Sequence, residues 1–137
     1  MEDGKTSHSP ITSFQDLTVY QNLYKAMVRI HKDVVPLLPK EERYDLADQM
    51  KRASKAGPAL IAEGFAKRYQ LRQWKKYLND TVGECNEMIH HLSVCIDVYS
   101  NFVRCDVCRD LVDVYDVSCK QCTRLGQVWT DYHERSH

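Results

Sequence analysis

The chain has 137 residues, enough for one domain with a single hydrophobic core. Its 19 basic and 19 acidic side chains balance, so no global charge favours nucleic acid or an anionic membrane, and either would need a local patch. Because no apolar run approaches the roughly 20 residues that span a bilayer and the N-terminus has no apolar signal core, we expect a cytoplasmic protein without membrane contact.

Two helices are predicted in the first half of the chain. The first begins at Ser13, a good N-cap, with Asp16 three residues later to suit the helix dipole, and it ends at Pro36. The second begins after Pro39 with Lys-Glu-Glu. Its apolar stripe resumes in phase beyond Pro58, so we expect a kink there rather than two abutting segments.

Two longer helical patterns follow. One apolar face runs from about Arg72 to Ser100, and a second covers roughly residues 105–133. Four amphipathic helices with short connections predict an all-α fold, an antiparallel up-down-up-down four-helix bundle. We assign the bundle to residues 13–133, with a disordered tail over 1–12 and a short tail over 134–137.

The fourth helical segment begins with two C-x-x-C pairs, a spacing close to that of a four-cysteine zinc site. On a helix, Cys105 and Cys119 would lie about 21 Å apart along the axis, too far to share one metal ion. In a reducing compartment all six cysteines are then expected to pack in the core as small apolar residues. The alternative is a zinc or redox protein that uses Cys105, Cys108, Cys119 and Cys122, including a metal shared between subunits.

The chain shows no recognisable catalytic motif. His90 and His91 are neighbours and would point about 100° apart on a helix, so His90 should face water and His91 should border the core. No nucleophile–base set, phosphate-binding glycine loop, H-E-x-x-H motif or paired E-x-x-H motif is present in the sequence. We therefore expect no enzymatic activity, no cofactor and no small-molecule substrate.

The strongest local charge asymmetry is AKRYQLRQWKKY, residues 66–77, at the predicted bend between the second and third helices. Basic groups neutralise phosphates and interleaved aromatic rings stack on bases, although Trp74 and Tyr77 also fit the core face. The alternative is a solvated helix end. Our candidate nucleic-acid-binding residues are Lys67, Arg68, Arg72, Lys75 and Lys76, extended on the second helix by Lys51, Arg52 and Lys55.

Four segments carry a resemblance to a known family. They are SFQDLTVYQ from Ser13, LPKEERYDLADQMKRA from Leu38, IAEG from Ile61 and LNDTVGECNEM from Leu78. Together they resemble the bacterial four-helix bundle proteins of the ribosomal-RNA intervening-sequence type, over about residues 13–130. That resemblance implies a homopentamer. Glu63 and Glu87 match family positions, and an inter-subunit contact is expected there.

A second resemblance concerns TRLGQVW, which begins at Thr123. It is similar to the L-G-x-x-W ending of the accessory proteins of diversity-generating retroelements, which bind a reverse transcriptase and nucleic acid through a basic surface. We therefore expect a non-enzymatic oligomeric adaptor for RNA or DNA, or for a nucleic-acid enzyme such as a retroelement reverse transcriptase. The alternative is a structural pentamer with a protein partner only. The chain departs from the family in having Leu60 before I-A-E-G, and from its basic members in being neutral.

Overall fold

The computed structural model describes residues 11–136 and folds them into four α-helices, with no strand in that range. The helices are α1 (Thr18–Arg29), α2 (Leu46–Phe65), α3 (Leu71–Val98) and α4 (Cys105–Ser136). Each helix packs against the next along the chain, and α1 also packs against α4. The predicted all-α class with four helices is confirmed, and most of the predicted 1–12 tail lies outside the described residues.

The chain enters the bundle through a single 3-10 turn, Phe14–Asp16, rather than through the start of a long helix. Ser13 is the N-cap, as predicted. Its hydroxyl accepts a hydrogen bond from the Gln15 amide at 3.2 Å, and its own amide donates to Asp16 at 3.1 Å. Leu17 then adopts an extended conformation, and its side chain is buried. The predicted helix start at Ser13 was wrong, because the extended residue that buries this side chain interrupts the helix and α1 begins after it.

Short turns join α1 to α2. A π turn, Ile30–Val34, continues directly from α1, and the 3-10 turns Val35–Leu37 and Lys40–Glu42 follow. Because proline lacks the N–H that a helix needs, the α-helical hydrogen bonding does not extend through this region. The predicted helix boundaries at Pro36 and Pro39 therefore lie within a run of irregular turns rather than at the ends of α1 and α2.

The second helix contains a proline without being divided by it. α2 runs from Leu46 to Phe65 through Pro58, so the alternative of two abutting segments was wrong. Pro58 and the preceding Gly57 are both buried. An added Cβ at Gly57 would lie 3.6 Å from Leu23 Cδ1, which shows how closely α1 approaches this part of α2.

The core lies between the apolar faces that the sequence pattern identified. Its largest fully buried side chains on α3 and α4 include Trp74, Leu92, Leu111 and Tyr115. α4 continues beyond these apolar positions to residue 136, so residues 134–136 of the predicted tail are helical. No helix in the part of the chain that the structure describes is long and apolar enough to cross a membrane.

α2 and α3 approach each other very closely at Gly64, near the end of α2. A Cβ added there would lie 2.5 Å from Tyr77 Cβ and 3.0 Å from Trp74 Cε3 on α3. Because these contacts are far below van der Waals separation, we expect Gly64→Ala to lower the free energy of unfolding by about 1–3 kcal/mol. Urea unfolding followed by circular dichroism measures this change.

Gly83 provides a matched control for the same measurement. It is exposed on α3, and an added Cβ there would meet nothing within 4 Å. Alanine is the better helix former, so Gly83→Ala should raise the free energy of unfolding by up to about 1 kcal/mol. Equal effects from the two substitutions would contradict the close contact at Gly64.

Candidate nucleic-acid interface

The structure brings five of the predicted cationic residues to one end of the molecule. Two of them lie in the turn that joins α2 to α3, and three lie in the first two turns of α3. We call this set the basic bend; it consists of Lys67, Arg68, Arg72, Lys75 and Lys76. The three on α3 are exposed and the two in the turn are half-buried, so all five side chains reach solvent.

The amino end of α3 adds to the positive potential of the basic bend. Gln70 precedes the helix without a side-chain cap, and the first turn contains no acidic residue. The first N–H groups of a helix lack partners and act as about half a positive charge. Arg72 and Lys75 add full charges to that end, which disfavours the helix but suits an anion such as phosphate.

Two cations of the basic bend are held by aromatic neighbours. Lys67 Nζ donates to the Tyr77 hydroxyl at 3.1 Å, and that hydroxyl donates to Glu63 at 3.0 Å. The Arg68 guanidinium lies 3.9 Å from the centroid of the Phe65 ring and donates to the Phe65 carbonyl at 2.9 Å. These contacts hold both side chains in place and leave both positively charged. The charge of Lys67 is partly offset, because the Glu63 carboxylate bonds to the same Tyr77 hydroxyl.

The other three cations of the basic bend differ in whether they form an ion pair. Lys76 pairs with Asp80 at 3.0 Å, and this hydrogen bond raises the pKa of Lys76. Within residues 11–136, neither Arg72 nor Lys75 forms an ion pair. Arg72 and Lys75 are thus the cations best placed to meet an external phosphate.

The cations predicted on α2 precede the basic bend along the chain, and one of them, Arg52, is ion-paired. Arg52 forms ion pairs with Glu84, at 3.6 Å, and with Glu87, so its charge is offset. Burial raises the pKa of Glu84, and the neighbouring Glu87 carboxylate raises it further. Glu87, which holds Arg52, follows Tyr77, which holds Lys67, by ten residues on α3. This spacing corresponds to about 15 Å along the helix axis. Lys51 and Lys55 flank Arg52 on the same helix, half-buried and exposed respectively.

The two carboxylates predicted at a subunit interface have partners in their own chain. Glu63 accepts from Tyr77, and Glu87 accepts from Arg52 and lies 3.1 Å from His91 Nε2. His91 is buried beside the core, as the helical spacing predicted. Each carboxylate is therefore positioned by residues of its own chain and remains partly accessible to solvent.

The aromatic residues of the bend divide into core and surface. Trp74 is 0% exposed and Tyr77 is half-buried, so neither ring is open to a stacked base. Tyr69 is 69% exposed, and its ring packs edge-on against Trp129 of α4, with 5.7 Å between centroids. Trp129 in turn packs against Tyr132. In the sequence, Trp129 stands out only as the end of TRLGQVW and Tyr132 does not stand out at all; their three-residue spacing on a helix was the available signal.

The family assignment follows from a comparison with known sequences. A family model described as 23S rRNA-intervening sequence protein matches residues 15–111, more than two thirds of the chain. The chain belongs to this family. No curated protein sequence matches it.

The match to the 23S rRNA-intervening sequence protein family confirms the resemblance carried by the four quoted segments. It includes α1, α2, α3 and the first two turns of α4, and therefore the whole basic bend. Most of α4, with Trp129 and Tyr132, follows the matched residues.

The cysteines of α3 and α4 meet across the helix pair. α4 is helical through both C-x-x-C pairs, as predicted, which puts Cys105 and Cys119 about 21 Å apart along its axis. Among residues 11–136, no group of three or more His, Cys, Asp or Glu side chains is arranged to hold a metal ion. Instead, Cys85 lies beside Cys119 and Cys95 beside Cys108, and the interaction within each thiol pair, followed by burial, raises the pKa of Cys85 and of Cys95. The Cys119 thiol itself donates to Asn86 Oδ1 at 3.7 Å, and the Cys95 thiol donates to Met50 Sδ at 3.7 Å.

Cys122 should make stability depend on alkaline pH. Burial, followed by the nearby Cys119 thiol, raises the pKa of Cys122 to about 12. In the unfolded chain a thiol has a pKa of about 8.5, so the unfolded state loses this proton first and the free energy of unfolding falls as pH rises from there to about 12. Between pH 8 and pH 10 this thiol should account for about 2 kcal/mol of the fall.

The measurement is urea unfolding with a reductant present, at pH 8 and pH 10. Cys122→Ala should lose less stability over this interval than the unsubstituted protein. The control is Cys105→Ala, because Cys105 is half-buried at the start of α4. The same pH dependence in Cys122→Ala and the unsubstituted protein would contradict the assignment.

Proposed function

We propose that this protein is a non-enzymatic oligomeric adaptor that binds nucleic acid through the basic bend. The observation that carries the proposal is the gathering of five cations at an uncapped helix amino end, in a chain whose net charge is zero. Since the family is named for 23S rRNA, RNA is the first ligand to test, with DNA as the comparison. The binding would be directional because the positive potential is confined to one end.

Assembly would compensate for the modest charge of one subunit. We propose the homopentamer that the family resemblance implies, in which five copies of the basic bend act on one nucleic acid. Linked sites raise the effective concentration of each further contact, so the complex gains affinity without new charges on each chain. The alternative is a pentamer that binds only a protein.

The helix contacts support the up-down-up-down arrangement on which this assembly would be built. Along α3, Cys85 meets Cys119, whereas the later Cys95 meets the earlier Cys108 of α4. Between α1 and α4, Asn22 bonds to Gln121 at 3.3 Å and Arg29 to Asp110 at 2.6 Å. Rising residue numbers on one helix thus meet falling numbers on the other, as expected for antiparallel neighbours.

A reverse transcriptase of a retroelement is the nucleic-acid enzyme that we propose as a protein partner. Support comes from the ending TRLGQVW, in which Leu125 and Gly126 are buried against the rest of the bundle and Trp129 is half-buried. A cytoplasmic location fits this role, and the six thiols fit a reducing compartment.

Removing the charges of the basic bend should abolish binding. We expect the variant with Gln at Lys67, Arg68, Arg72, Lys75 and Lys76 to lose salt-sensitive RNA retention. Each lost phosphate contact should reduce the slope of log K against log salt by about 0.7 for a single strand. Filter binding over a salt series measures both quantities.

A variant with the same number of charges removed elsewhere is the control. It carries Gln at exposed positions outside the basic bend: Lys32, Lys40, Arg104, Arg109 and Lys120. It should keep its retention and its salt slope. Equal losses in the two variants would show that only total charge matters, and retention unchanged in both would remove the basic bend from the proposal.

The pentamer makes a separate prediction. Light scattering coupled to size exclusion should give about 80 kDa, five times the 16.0 kDa of one chain. Glu63→Gln and Glu87→Gln should shift this mass downward if these carboxylates contact a neighbouring subunit, while circular dichroism confirms that the helices remain. A mass of one chain for the unsubstituted protein would contradict the oligomer.

A further inference from the structure

A groove lies beside the basic bend, between the turn after α2 and the last turns of α4. Its volume is about 320 Å³, within the range of about 300–1,000 Å³ that is usual for small-molecule sites. We call it the aromatic groove; its lining includes Phe65, Arg68, Tyr69, Trp129, Tyr132 and Arg135. Its α4 wall follows the residues that match the family, so the family assignment does not account for it.

Two exposed tyrosine rings and one half-buried tryptophan ring line this groove. Tyr69 is 69% exposed and Tyr132 is 51% exposed, and each packs edge-on against the half-buried Trp129 ring at 5.7 and 5.6 Å. The edge-on packing fixes the rings while leaving part of their faces open. Contiguous exposed apolar surface of this kind usually marks a binding site.

The charge around the groove limits what can occupy it. The Arg68 guanidinium lies 4.6 Å from the centroid of the Tyr69 ring, and Arg135 lines the groove at its other side. Arg72 of the basic bend is three residues after Tyr69 in the sequence, and it forms no ion pair within the described residues. An aromatic lining with a cationic rim complements a flat ring attached to a phosphate, whereas an apolar peptide would leave both arginines without a counter-charge.

We propose that the aromatic groove binds an unpaired base of a single-stranded nucleic acid, with the adjoining phosphate on Arg68 and Arg135. The proposal rests on the function proposed above and narrows its ligand to single strands. Bases in a duplex are stacked on one another and closed to side-chain stacking, while an unpaired base offers a free face. The basic bend would then hold the phosphates that follow along the strand.

The two tryptophans make occupancy of the groove measurable. Trp74 is 0% exposed in the core, and Trp129 lies in the groove. A 12-nucleotide oligouridylate should quench the tryptophan emission of the full chain, whereas a duplex RNA of the same length should not. Trp129→Phe should remove the quenching, and Trp74→Phe should keep it.

Affinity supplies the second readout. Alanine at a stacking ring costs about 1–3 kcal/mol per base, so Tyr69→Ala and Tyr132→Ala should each weaken oligouridylate binding by about 5- to 150-fold. The matched control is Tyr44→Ala, because Tyr44 is 82% exposed and also lies beside an arginine, Arg43, but is outside the groove. It should leave the affinity unchanged.

The outcomes separate this proposal from the function on which it rests. Salt-sensitive retention without quenching, and with unchanged affinity in Tyr69→Ala, would overturn the groove and leave the basic bend standing. No retention of any nucleic acid would overturn both. Equal quenching by the duplex would overturn the preference for single strands. A fall in oligomer mass in Tyr69→Ala, without a change in affinity, would show that a second copy of the chain covers the groove.

Discussion

The missing side chain of Gly64 is the constraint on which the rest of the surface depends. Tyr77 and Trp74 occupy the space that a Cβ at this position would take, so α3 begins in direct contact with the end of α2. The chain passes from α2 to α3 within residues 66–70, directly after this contact. The cations of that turn and of the next two helical turns are consequently crowded into one small area, although like charges repel.

Local sequence signals identified most of the fold. The Ser13 cap, the four amphipathic patterns and the helical path through both C-x-x-C pairs could be predicted because each depends on residues within a few turns of one another. The break at Leu17 could not, since it results from burial of that side chain against distant helices. The non-α turns around Pro36 and Pro39 were missed for a related reason, because a proline marks where a helix fails but not what replaces it.

The candidate site was predictable only in part. The basic bend is contiguous in sequence, so its charge asymmetry is visible without a structure. Tyr69 and Trp129 are sixty residues apart, and only the packing of α4 against the turn brings them together. For Arg52 the sequence was misleading. Its charge suggests a basic surface in the sequence, but in the fold its ion pairs with Glu84 and Glu87 offset that charge.

The cations at the uncapped start of α3 have a thermodynamic consequence. Arg72 and Lys75 oppose the helix dipole, so the free protein carries an unfavourable electrostatic interaction in this turn. A phosphate bound there would reverse that interaction, and a ligand that binds only the folded state raises its apparent stability by mass action. Recognition and folding would therefore be linked through one turn of helix, and thermal stability would increase with ligand concentration.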